Sequence, residues 1–143
     1  KIPFGYRRFG EDVAFGKRLI LAGQSIMYEP RSAVVHSHNR SPKDEGKRIF
    51  CDHANLRELF DIHVLPTWKH YKDAVIHSQA EFRGIIDQFE LPAEQKGDLH
   101  EWAASYAKWS ALGIYLGGNA VRLRRGLSGL VFRFAERQLR KGI

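Results

Sequence analysis

Apolar and polar positions follow two different rhythms along this 143-residue chain, and the change falls near residue 47. Residues 1–10 are rich in Gly and aromatics and predict a loop. Residues 11–22 predict a helix: Glu11 and Asp12 open it, Lys17 and Arg18 follow, Gly23 stands in the stop position, and Val13, Phe15, Leu19, Ile20 and Ala22 supply its apolar side. Residues 25–28 and 33–36 are short β-like runs separated by Glu29-Pro30-Arg31-Ser32. Residues 37–46 are polar, contain Pro42 and Gly46, and predict a loop.

Beyond that point the spacing turns helical. Ile49, Phe50, Leu56, Leu59 and Phe60 carry one helix from residue 47 to about 64, before Pro66. A second spans residues 68–89 and stops ahead of Pro92, and a third runs from residue 93 to Gly117-Gly118. Trp102, Tyr106 and Trp109 have the i, i+4, i+7 spacing of core positions. Residues 127–139 make a fourth.

One helix and two short strands cannot close a sheet, so the strand edges must pair with chain upstream or with another molecule. The expected fold is an α/β fragment, mainly helical. Residues 1–46 form the back end of an α/β domain, and residues 47–143 form a helical extension. Apolar content of 43% places the chain among globular proteins. No apolar run reaches the length of a spanning helix. The opening lacks both an initiator Met and the apolar core of a signal peptide, so a segment of a longer protein is expected. Cys51 is the sole thiol, which excludes an internal disulfide and agrees with a reducing, cytoplasmic setting.

Charge alters the picture at one end only. The formal net charge is +7, and Arg122, Arg124, Arg125, Arg133, Arg137, Arg140 and Lys141 stand against the single acid Glu136. Leu123, Leu127, Leu130, Val131 and Phe134 fall on a stripe beside that basic one. Such a helix, over residues 123–141, suits an anionic membrane surface, or else packs on its neighbours with a solvated basic face. Nucleic acid is not expected as a partner, because the aromatics sit at core spacing and are not interleaved with the cations.

Two clusters could carry chemistry. A carboxylate in the first turn of a helix is stabilised by the dipole; Glu11 and Asp12 serve either as capping groups or, facing a substrate hydroxyl, as a general base. His36 and His38 share one face of an extended strand, as metal ligands or as structural residues.

The order Gly-Glu-Asp (residues 10–12), Lys17-Arg18-Leu19, Ala22-Gly23, Ile26-Met27-Tyr28-Glu29-Pro30 and Ala33-Val34-Val35-His36-Ser37-His38 resembles the C-terminal part of family 2 glycosyltransferases. These are inverting, metal-dependent enzymes with a GT-A fold that use nucleotide sugars. His36 to Asn39, followed by "KRIFCDHANLRELFD" at residues 47–61, looks most like the rhamnosyltransferase branch.

The resemblance implies roles. Asp12 matches the catalytic base that takes the proton of the acceptor hydroxyl, and Glu11 matches an orienting or acceptor-contacting acid. His36 matches a ligand for a divalent metal, Mn²⁺ or Mg²⁺, that neutralises the leaving nucleoside diphosphate. His38, Arg40 and Lys43 match positions able to touch the diphosphate. Implied partners are a nucleotide-sugar donor, a saccharide or lipid-linked saccharide acceptor, and the inner face of the plasma membrane; a homo-oligomer is compatible. The implied process is bacterial surface polysaccharide synthesis.

One departure is large. The family's Asp-x-Asp metal motif occurs nowhere in this sequence, so the chain by itself is expected to be inactive. The rival reading is a non-catalytic helical module for interaction or dimerisation.

Overall fold

A computed structural model describes residues 1–7, 9–35, 39–126 and 129–141. The chain divides into two compact units, Lys1–Asn39 and Arg40–Ile143.

The first unit is organised by helix α1 (Glu11–Leu21). Gly10 precedes it in the left-handed region (φ 69°), where glycine carries no Cβ penalty. At the other end Gly23 is left-handed too (φ 73°). The Gly23 N–H donates to the Ile20 carbonyl at 3.0 Å and the Gln24 N–H to the Leu19 carbonyl at 2.9 Å. That pair of bonds is the Schellman arrangement predicted by a glycine stop. The N-terminal loop is tied to the helix by the Arg18 guanidinium, which donates to the carbonyls of Pro3 and Phe4. The rings of Phe4 and Phe15 meet at 4.9 Å.

The α/β expectation is overturned here. Among the described residues there are six α-helices and no strands. Residues 25–28 and 33–35 are irregular, and a single 3₁₀ turn, Pro30–Ser32, lies between them. The Glu29 carboxylate accepts the Arg31 N–H at 3.0 Å, which fixes that turn locally. The side chains that suggested strands are solvent-facing: Met27 is 88% exposed and Val34 83%. β-Branched residues favour extended backbone, yet a strand exists only when its N–H and C=O groups find a ladder partner. The described residues of this unit supply none.

The second unit is a helical array: α2 (Pro42–Phe60), α3 (Trp68–Asp87), α4 (Ala93–Gly118), α5 (Ala120–Arg125) and α6 (Gly129–Leu139). The predicted loop at 37–46 proves to contain the start of α2. The Ser41 hydroxyl accepts the Asp44 N–H at 3.2 Å, and Pro42 occupies the first turn, where its missing N–H costs nothing.

Gly46 is no loop residue either. A Cβ there would stand 2.7 Å from the Trp109 carbonyl oxygen. Gly113 and Gly117 complete the crossing, since a Cβ on either would overlap a carbonyl oxygen, of Gly46 and of Phe50 respectively. Glycines four residues apart let the backbones of α2 and α4 meet almost in van der Waals contact. Phe50 and Ala107 are completely buried, and Ala103 and Ala111 extend the same small-residue surface of α4.

The aromatic residues expected in the core lie at its margin. Trp102 is 49% exposed and stacks on Tyr106 at 5.1 Å, and Tyr106 meets Phe82 edge-on at 5.8 Å. Trp68, Tyr71 and Tyr115 form a second cluster, with Trp68 and Tyr71 stacked at 4.4 Å.

At the far end of α4, the Asn119 amide donates to the carbonyls of Leu65 (2.9 Å) and Tyr115 (2.8 Å), pinning the α2–α3 connection. Helices α5 and α6 are clamped by Glu136, which accepts from Arg124 at 2.8 and 2.5 Å and from Arg140 at 3.0 Å. These two guanidiniums, Arg124 foremost, hold the Glu136 carboxyl below its ordinary range against the opposing effect of burial.

Among the described residues, no helix is long and apolar enough to cross a membrane.

Candidate functional site

The acidic pair sits where its sequence predicts. Glu11 and Asp12 occupy the first turn of α1, and both side chains are exposed. Gly10 provides no side-chain cap, so the first-turn N–H groups are open to carboxylates. Asp12 Oδ1 accepts the Val13 N–H at 2.8 Å. The second carboxylate oxygen remains available at the surface. An anionic acceptor beside a helix N-terminus can receive a hydroxyl proton from a bound substrate.

His36 and His38 lie outside the described residues. Arg40 and Lys43 belong to the second unit, while the acids belong to the first. Arg40 pairs with Glu45 at 3.5 Å, and the Lys43 ammonium stands 6.0 Å from the Trp109 ring centroid. Both therefore flank the start of α2 and do not ride on an open loop. Among the described residues no group of three or more His, Cys, Asp or Glu could hold a metal ion.

A feature the sequence did not disclose is a cleft of about 420 Å³ at the end of α4, lined by Arg57, His63, Gly118, Asn119, Val121, Arg122, Arg125 and Gly126. Arg57 is engaged with Asp61 at 2.6 Å. Arg122 and Arg125 are exposed. The one legible hint was the i, i+3 spacing of those two arginines, but the corner that joins them to His63 and Asn119 is tertiary.

No family model, curated protein or solved structure matches the chain.

Proposed function

We propose that this chain supplies the acceptor side of an inverting glycosyltransferase, transferring a sugar, rhamnose foremost, from a nucleotide-diphosphate donor to a saccharide. The observation that carries the reading is the exposed Glu11-Asp12 pair on the first turn of α1, set within the succession of sequence motifs at residues 10–38 that resembles family 2 glycosyltransferases. In this reading Asp12 takes the proton from the acceptor hydroxyl as its oxygen attacks the anomeric carbon, and Glu11 orients the acceptor. The donor-binding acids would come from chain outside this sequence. His36 would be a ligand for Mn²⁺ or Mg²⁺, and His38, Arg40 and Lys43 would touch the diphosphate; replacing His36 by Ala should weaken divalent-dependent donor binding.

The test is enzymatic. The intact enzyme carrying this segment, given deoxythymidine-diphosphate-rhamnose and a lipid-linked saccharide, should release the nucleoside diphosphate only when acceptor is present. Absence of acceptor-dependent release with every nucleotide sugar offered would favour the non-catalytic module.

The second part of the proposal is peripheral attachment to the inner face of the plasma membrane through α6. Leu130, Val131 and Phe134 are 81, 72 and 66% exposed, with Arg133 and Arg137 exposed beside them. The only acid of that helix, Glu136, is turned inward onto Arg124 and Arg140. The outward surface of α6 is thus apolar and cationic without a counter-charge, the combination that suits an anionic bilayer.

A further inference from the structure

We propose that the cleft at the end of α4 binds a small phosphate ester that also carries hydroxyl groups. The inference is independent of the transferase reading. Its depth and its mouth ask for different halves of such a ligand. In the depth, Asn119 Oδ1 and His63 Nε2 are both buried and have no hydrogen-bond partner among the described residues. The Asn119 amide nitrogen already donates to two carbonyls, so its orientation is fixed and Oδ1 can only accept. Asn119 is 1% exposed, and a buried acceptor left unmatched is costly, so the site favours a ligand that brings a hydroxyl donor. The His63 ring nitrogen can donate to or accept from a second hydroxyl.

At the mouth, Arg122 and Arg125 are exposed and lie three residues apart, on one side of α5. Two guanidiniums match a phosphate monoester in charge and geometry. Arg57 lines the wall with its charge already balanced by Asp61. The volume of about 420 Å³ suits a monosaccharide phosphate or the headgroup of a phosphorylated inositol or glycerol lipid. Both sources present the same chemistry.

The experiment titrates the whole chain, at fixed salt, with glucose 6-phosphate, inorganic phosphate, glucose, and vesicles containing phosphatidylinositol 4-phosphate. The free ester or the vesicle should bind at least about tenfold more tightly than inorganic phosphate or glucose, and Arg122→Ala with Arg125→Ala should remove about tenfold of that affinity. Preference for the ester identifies a soluble ligand; binding to these vesicles beyond that to phosphatidylserine vesicles of equal charge, which α6 alone would attract, identifies a lipid headgroup. Because both arginines are exposed, the variant should keep its helical spectrum. Val121→Trp, which fills the cleft and leaves the charges in place, should also abolish binding. Equal affinity for phosphate and ester, or binding unaffected by Val121→Trp, would reduce the site to a charged surface and overturn the proposal.

Discussion

Gly113 meets the backbone of Gly46 where α4 crosses α2, with no room for a methyl group on either side. This close approach thus depends on two residues that are poor helix formers. Gly113→Ala should destabilise the protein by about 1–3 kcal/mol through overpacking, read from the midpoint of urea unfolding. Gly84 and Gly97 also sit in helices, but a Cβ on either meets nothing within 4 Å. Alanine at those two positions should instead stabilise by about 0.5–1 kcal/mol each, since only propensity changes.

The Glu136 carboxyl, held low by Arg124 and then Arg140, ties stability to acid pH. An unfolded glutamate protonates near 4.5, whereas the folded one resists until lower pH. The triad's contribution is therefore complete above the unfolded value and is lost as pH falls from about 4.5 through the lower folded value. Glu136→Gln should cost about 1–3 kcal/mol at pH 7 and flatten that part of the pH profile in thermal unfolding.

A second pH dependence belongs to His53 on α2, whose imidazole burial pushes below its ordinary 6.5. The unfolded chain takes up this proton more readily than the folded one. Stability should be full above pH 6.5 and decline as pH falls through the folded value. His53→Gln should remove that decline without touching the one at lower pH, so the two groups separate in a single titration.

The outward surface of α6 predicts lipid dependence. Sedimentation with phosphatidylserine-containing vesicles should pull down the chain at low salt, and phosphatidylcholine vesicles should not. Arg133→Glu with Arg137→Glu removes two favourable cations, each contributing about 1 kcal/mol, so partitioning should fall at least about thirtyfold. Phe134→Glu should weaken it at any salt. Equal binding to neutral and anionic vesicles would argue against this attachment.

How much of this was legible depended on whether local or tertiary forces decide each element. Helices α3 and α4 were readable because helical spacing and flanking prolines agree: Trp68–Asp87 and Ala93–Gly118 fall close to the expected 68–89 and 93–118. The start of α2 was misread because Pro42 and Gly46 look like breakers, when one opens the helix and the other permits its crossing with α4. Of helix α5 only the last residues were anticipated, as the start of a basic helix over 123–141, which the structure interrupts at the extended Gly126. The strands failed for the opposite reason, since β propensity at 25–28 and 33–35 has no ladder to satisfy among the described residues. The aromatic stripe misled because α4 buries its Ala and Gly surface and leaves Trp102 half outside. The placement of Glu11 and Asp12 in the first turn of α1 was legible, whereas the separate cleft beside Asn119 required the fold.

The transferase account stands most directly on the carboxylate of Asp12. On the proposed transferase reading, Asp12→Asn in the full-length protein preserves shape and removes the proposed proton acceptor. It should cut sugar transfer by about 10²–10⁴-fold. The donor dissociation constant should stay within about twofold, because the base acts on the acceptor in the transition state. Transfer at the wild-type rate by Asp12→Asn would contradict the account.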